Sequence, residues 1–182
     1  RGLGDVYKRQ ATAHPLQALA DAITLNEFKT PHKPKVVLTW APHPKALPHA
    51  VGNSFTKMMG NLDADFVIAH PEGYALNPEI TRGVKCVTNQ EEALDGADFI
   101  YTKNWSSYEH YGQILRTDDK WMITPEKMEL TNNGKFMHCL PIRRNIVAAD
   151  GVLDSPNSLV IQQSQNRIYS AQAVLKQLLE NG

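Results

Sequence analysis

The 182-residue sequence lacks the glycine fingerprints by which many α/β chains announce a ligand. No G-x-G-x-x-G follows its first strand-like run and no G-x-x-x-x-G-K-[ST] occurs, so a dinucleotide site or a P-loop is unsupported. It has only two cysteines, Cys86 and Cys139, far apart and without a C-x-x-C partner. That argues against a disulfide framework or a zinc site and suits a reducing cytoplasm. The seven histidines form no H-x-H or H-x-x-x-H pair, and we expect no metal. Charge of one sign is also missing: 19 basic residues balance 19 acidic ones, leaving no field for nucleic acid or an anionic membrane. No apolar run approaches the ~20 residues that span a bilayer, and the first residues do not read as a signal peptide.

Hydrophobic residues make up 42% of the chain, which supports a packed core. Residues 1–10, "RGLGDVYKRQ", have no clear period and end abruptly at a helix-like run. We read them as a cloning or sequencing scar, with the natural chain beginning further upstream. His14-Pro15 then opens a helix, because proline suits the first helical position. Leu16, Leu19, Ala20, Ile23 and Phe28 recur at helical spacing. "KVVLTW" (35–40) reads as a buried parallel strand followed by a helix to about Leu62. Strands are expected at 65–70, 84–88, 98–102 and across "KFMHCL". A short helix is expected within "PEGYALNPEI", and others after caps at Asn89 and Thr124. An amphipathic helix is expected from about Ser170 to Leu179. Alternating strands and helices predict an α/β fold with an open, mostly parallel, Rossmann-like sheet and helices on both faces. Ligands in such sheets bind beyond the carboxyl ends of the strands. That rule selects residues 41–44, 70–74, 103–108 and 138–144.

Several side chains there could carry chemistry, each with an ordinary alternative. In "HPLQ", His14 and Gln17 share a helix start, where free N–H groups and two polar side chains could polarise a carbonyl; from spacing alone a plain cap with a surface glutamine is the commoner arrangement. His43 follows the first strand, as either a loop histidine or a ligand contact. Lys103 ends a strand, where a lysine is either solvated or able to meet a carboxylate. In "HCLPIRRN", Cys139 is a buried hydrophobe or a nucleophile without an obvious base. Arg143 and Arg144 cannot both point one way, so at most one enters a pocket. Arg167 lies just ahead of the last expected helix, on the surface or against a phosphate.

Taken together, "HPLQALAD", "HCLPIRRN" and "NRIYSAQAVLKQLL" resemble the carbamoyltransferase family of arginine and pyrimidine synthesis, over nearly all of residues 11–182. The resemblance implies three parts. Residues 11–30 would link from a carbamoyl-phosphate domain, 31–164 would form the amino-acid-binding domain, and 165–182 the returning C-terminal helix. It implies that His14, Pro15, Leu16 and Gln17 hold carbamoyl phosphate together with Cys139, Leu140 and Arg167. His14, Gln17 and Cys139 would be the catalytic members. The family's Ser-Thr-Arg-Thr phosphate loop would lie upstream, so the 182 residues alone should be inactive. Full-length relatives form trimers with sites at subunit interfaces.

The chemistry implied is attack of a neutral amine on the carbamoyl carbon with departure of phosphate, and neither metal nor organic cofactor is called for. An ornithine δ-amine should have a pKa near ~10.4, so presenting it neutral at pH 7 costs about 4–5 kcal/mol. Ornithine-using relatives carry Asp-x-Trp and Ser-Met-Gly after the corresponding strand, and that aspartate meets the free α-amine. Here the stretch is "TKNWSSY", with Lys103 in place of the acid. A cation there implies an α-nitrogen that is no longer positive, as in the N-acyl-ornithine branch of the family. By resemblance His43, Lys103, Leu140 and Arg143 contact an N-acyl-L-ornithine. Acetyl-using members often carry lysine where this chain has Val147, so a succinyl group, with its second carboxylate, is expected over acetyl. The glutamate that relatives place before HPxQ falls where this chain has "YKRQ". A non-catalytic amino-acid-binding module and a nicotinamide oxidoreductase are the readings outside this class.

Overall fold

The structure, a computed structural model, describes residues 13–29 and 32–181; the expected scar lies outside them. Five parallel strands form one sheet in the order β3-β2-β1-β4-β5: β1 (Lys35–Trp40), β2 (Asp65–Ala69), β3 (Lys85–Val87), β4 (Phe99–Lys103) and β5 (Lys135–Met137). Strand β1 sits between β2 and β4, with Val37 opposite Val67 on one side and Ile100 on the other. Its run Val36–Trp40 is buried throughout, as a parallel strand covered on both faces must be. The chain order reverses between β1 and β4, so their carboxyl ends flank an open crevice.

The helices are α1 (Pro15–Phe28), α2 (Ala50–Met59), α3 (Gln90–Leu94), α4 (Pro125–Glu129), α5 (Asp150–Leu153) and α6 (Val160–Asn181). The caps expected from sequence form: Asn89 Oδ1 accepts from the N–H groups of Glu91 and Glu92, and Thr124 Oγ1 from Lys127. Helix α1 packs on α2 and α6, while α3 lies against β1, β2 and β3. With the order β3-β2-β1-β4-β5, the right-handed rule for parallel crossovers puts the connections β1-α2-β2 and β3-α3-β4 on opposite faces of the sheet.

Four expectations need correction. The last helix begins at Val160, ten residues earlier than the amphipathic pattern indicated, so Arg167 lies inside it rather than ahead of it. Its early turns are polar but buried, with Gln163, Asn166 and Ser170 turned inward. The apolar stripe that gave the pattern, including Leu175, Leu178 and Leu179, is exposed. Helix α1 departs from its pattern in part: Leu16 and Phe28 are exposed and the polar Gln17, Asp21 and Thr24 are buried, while Ala18, Ala20 and Leu25 are buried with them. These polar faces meet each other. Gln163 Nε2 donates to Asp21 Oδ1 at 2.7 Å, and Asn166 Nδ2 donates to Thr24 Oγ1 at 2.9 Å. Strand β5 stops at Met137, because the next N–H, of His138, leaves the ladder and donates to Gln163 Oε1 at 2.8 Å. The short helix expected in 71–80 is a single turn in which Ile80 and Thr81 donate to the Asn77 carbonyl.

Gly134 leads into β5 in a space with no room for a side chain. A Cβ there would lie 2.5 Å from Ile100 Cδ1 and 2.8 Å from the Ala97 carbonyl oxygen. Gly134→Ala should destabilise the chain by roughly 1–3 kcal/mol through overpacking, lowering the thermal midpoint by about 2–4 °C per kcal/mol. An unchanged midpoint would show that the strand start yields freely.

A cationic candidate site at the strand ends

The crevice beyond β1 and β4 holds a cavity of about 560 Å³. Its apolar wall comes from Leu47, Pro48, Ala50, Val51, Pro141 and Ile142, and its polar lining from His14, His43, Lys45, Lys103 and Arg143. Three fixed cations and no carboxylate line it. Asn104 fixes the crevice by donating from Nδ2 to the Ala41 carbonyl at 2.7 Å, tying the loop after β4 to that after β1. The buried Trp105 donates from Nε1 to the Tyr74 carbonyl at 2.7 Å, so its role is to hold that loop down.

Lys103 ends β4 and Arg143 follows the β5 exit; neither side chain has a hydrogen-bond or ion-pair partner among the described residues. Arg144 behaves oppositely. It makes a two-pronged bond to Asp154, at 2.6 and 2.9 Å, and a third contact to Asp150 at 2.6 Å. The pair "RR" therefore divides its work: Arg144 clamps α5 and Arg143 faces the cavity.

The imidazoles are neutral donors or acceptors rather than cations. His14 is the N-cap of α1 without a side-chain capping bond, and its N–H donates to Ser54 Oγ at 2.7 Å. Burial, then the charges of Arg167 and Lys103, hold its pKa below the ordinary value. His43 is lowered in the same way, first by burial; its Nδ1 accepts from the Lys45 N–H at 3.0 Å. His138 is buried beneath the site and pushed down to about 3, chiefly by burial. Its Nδ1 accepts the Leu140 N–H at 3.0 Å and closes a tight turn in which Leu140 adopts φ 49°. A non-glycine residue in that region is strained, and such strain concentrates at functional corners. Burial pushes the Cys139 thiol up, away from the thiolate a nucleophile needs.

The structure thus brings His14, His43, Lys103 and Arg143 around one cavity, with Cys139 and Leu140 at the turn beside it. Pro15 and Leu16 are exposed at the start of α1, and Arg167 is exposed on α6 within electrostatic reach of His14. Gln17 does not line the cavity: it is buried on α1 one turn past His14, where its Nε2 donates to Asp21 Oδ1 at 2.8 Å. Two residues of the site were missed in sequence. Lys45 lies one position past the loop singled out after β1, and Asp21 looked like an ordinary polar position of α1.

Residues 48–178 match the family model for the aspartate/ornithine carbamoyltransferase Asp/Orn-binding domain. The chain is 53% identical to an N-succinylornithine carbamoyltransferase of Bacteroides fragilis (strain 638R), over 94% of this chain and 54% of that protein. It is 35% identical to an N-acetylornithine carbamoyltransferase of Xanthomonas campestris pv. campestris, over 96% of this chain and 58% of that protein. A crystal structure of acetylornithine transcarbamylase complexed with acetylcitrulline superposes with a TM-score of 0.81 at 32% identity, covering 90% of this chain and 55% of that one. The chain therefore spans about half the length of the curated relatives it matches. Among the described residues no helix is long and apolar enough to cross a membrane.

Two buried groups, Asp21 and His138, oppose each other in their effect on stability. Burial raises the Asp21 carboxyl from 3.8 to about 7, so across that range the folded chain holds a proton that the unfolded chain has lost. Stability from this source falls as pH rises. His138, lowered from 6.5 to about 3, refuses a proton that the unfolded chain binds, so its contribution rises with pH across that range. Asp21→Asn removes the first effect alone. The stability of the variant relative to the parent, from urea unfolding, should increase between pH 4.5 and 7.5; a flat difference would show that Asp21 does not titrate there.

Proposed function

The chain belongs to the aspartate/ornithine carbamoyltransferase family, and from that premise we propose that the protein carrying it transfers the carbamoyl group of carbamoyl phosphate to the δ-amine of N-succinyl-L-ornithine. The products are N-succinyl-L-citrulline and phosphate, in arginine biosynthesis. The observation that carries the choice of substrate is the pair of unpartnered cations, Lys103 and Arg143, in a cavity lined by no carboxylate. A free α-ammonium would be repelled there, whereas an acylated α-nitrogen is neutral and leaves the α-carboxylate to meet the cations. A succinyl group brings a second carboxylate, for which Lys45 supplies a third positive charge. The higher identity to a succinylornithine enzyme than to an acetylornithine enzyme supports the same choice.

In this reading His14, as a neutral imidazole, donates to the carbamoyl oxygen as charge gathers on it, and the N–H groups at the start of α1 add their dipole. Gln17 offers its amide to the carbamoyl nitrogen. The turn at Cys139 and Leu140 walls the reacting carbon and receives the incoming amine, while Arg167 faces the phosphate. His43, Lys103, Leu140 and Arg143 orient the acyl-ornithine so that its neutral δ-amine attacks the face of the planar carbamoyl carbon; the C–O bond to phosphate then breaks, and the departing phosphate takes the proton that the amine loses. The remaining half of the protein supplies the phosphate loop and covers the apolar stripe of α6. We place the full-length protein in the cytoplasm as a homotrimer, a compartment that the free thiols of Cys86 and Cys139 suit.

Steady-state assays of the full-length protein test the reading. N-succinylornithine should be preferred over N-acetylornithine by about tenfold or more in kcat/KM. Preference for the acetyl substrate would replace the acyl group in the proposal, and binding without any carbamoyl transfer would make the chain a binding module. Arg143→Ala or Lys103→Ala should raise the KM for the acyl-ornithine by about 10–100-fold, the worth of a charge-assisted hydrogen bond. Arg144→Ala should leave that KM nearly unchanged and act on stability instead. His14→Ala should lower kcat by roughly 10²-fold or more.

A further inference from the structure

Asp21 is fully buried one helical turn beyond Gln17, on the face of α1 that meets α6. A single oxygen, Oδ1, accepts two amide bonds, from Gln17 Nε2 at 2.8 Å and Gln163 Nε2 at 2.7 Å. The Gln163 amide is oriented independently, because its Oε1 accepts the His138 N–H at 2.8 Å where β5 ends. Its NH₂ therefore faces position 21 and requires an acceptor there. A carboxylate oxygen holding one amide by its NH₂ also takes the other by its NH₂, since the reverse would oppose two acceptors. Gln17 is left with Oε1 directed away from Asp21, and that oxygen accepts no hydrogen bond among the described residues.

We propose that Asp21 is a positioning residue for carbamoyl transfer: it fixes which end of the Gln17 amide meets the substrate and ties that amide to the strand exit carrying Cys139 and Leu140. The proposal rests on the carbamoyltransferase reading above. An amide oxygen is what the NH₂ of a carbamoyl group needs, whereas the methyl of acetyl phosphate, of nearly the same shape, offers it nothing. Asp21 thereby controls discrimination between a carbamoyl and an acetyl donor without touching either. Sites that hydrogen-bond a polar group reject the analogue lacking it far more strongly than sites that merely fit its shape.

The surroundings make this orientation independent of protonation. Besides the two glutamines, the groups facing Asp21 are the Tyr101 hydroxyl from β4, the Cys139 thiol after β5 and the charge of Arg167 on α6. Asp21 Oδ2 and the Tyr101 hydroxyl are each buried without a hydrogen-bond partner among the described residues. Burial raises the carboxyl to about 7; with both amides donating to Oδ1, Oδ2 is the oxygen left to carry a proton. Oδ1 accepts from both amides in either state.

The test uses the full-length protein carrying this sequence, with carbamoyl phosphate as substrate and acetyl phosphate as competing inhibitor. The ratio of acetyl phosphate Ki to carbamoyl phosphate KM should fall about tenfold or more in Asp21→Ala and in the volume-keeping Asp21→Leu, as Gln17 is freed to turn. Asp21→Asn keeps an oxygen for both amides and should recover most of the ratio. The KM for the acyl-ornithine should move much less. A loss of rate with the ratio unmoved overturns the role of Asp21 and leaves the enzyme reading intact; absence of carbamoyl transfer in the unaltered protein overturns both. Should neither the alanine nor the leucine variant fold, the Gln17 side-chain amide protons of the unaltered protein decide the matter. Hydrogen exchange slowed about 10²-fold or more against a free glutamine amide supports the pinned orientation, and exchange at the free rate overturns it.

Discussion

The bond between Asp21 and Gln163 joins residues 142 positions apart and anchors the rest of the architecture. Helices α1 and α6 meet through a hydrogen-bonded polar layer, not an apolar seam. Gln17, Asp21 and Gln163 form one cluster, and Thr24, Glu27 and Asn166 a second, where Asn166 Nδ2 reaches Thr24 Oγ1 and Glu27 Oε2. Buried polar groups stabilise only when satisfied, so such a layer tolerates one register where an apolar seam would tolerate several. That single register sets where α1 begins, and so where His14 stands. Through Gln163 it also sets where β5 leaves the sheet, and so where Cys139 and Leu140 turn.

Against this fixed floor the cavity is electrostatically incomplete. Lys45, Lys103 and Arg143 line it with no carboxylate among them, while Arg144, next in the chain, is fully engaged by Asp150 and Asp154. Positive side chains gathered together without counter-charge repel one another, and a bound dianion removes that repulsion. The imidazoles add none, since burial keeps His14, His43 and His138 below their ordinary pKa. Under the proposed function this divides the labour: the cations would meet carboxylates, and neutral donors would meet a carbonyl on which charge develops only during reaction.

Much of this was legible in the chain. All five strands were located, the central ones because parallel strands covered on both faces are nearly continuous apolar runs, although β5 ends three residues earlier than its run suggested; the caps at Asn89 and Thr124 read because their chemistry is local. His43, Lys103 and the Arg143-Arg144 pair followed from strand ends, and His14 from a helix start. What misled was hydrophobic periodicity, most of all in α6, whose apolar stripe is exposed and whose Gln163, Asn166 and Ser170 are buried, and in part in α1, where Gln17, Asp21 and Thr24 are buried beside Ala18, Ala20 and Leu25. Asp21 was invisible for the same reason: a carboxylate in a helix ordinarily faces water, and only a partner from the far end of the chain keeps this one inside.

The α/β class, the strand-end residues and the resemblance to carbamoyltransferases are written in the chain, because each depends on short-range pattern or on contiguous motifs. Folding adds that Arg143 and not Arg144 faces the cavity, that burial raises the Cys139 thiol, and that Gln17 is held by one end of its amide. Those outcomes depend on contacts between distant segments: Arg144 with α5, Cys139 with its burial beside Tyr101, and Gln17 with the carboxyl that α6 holds in place.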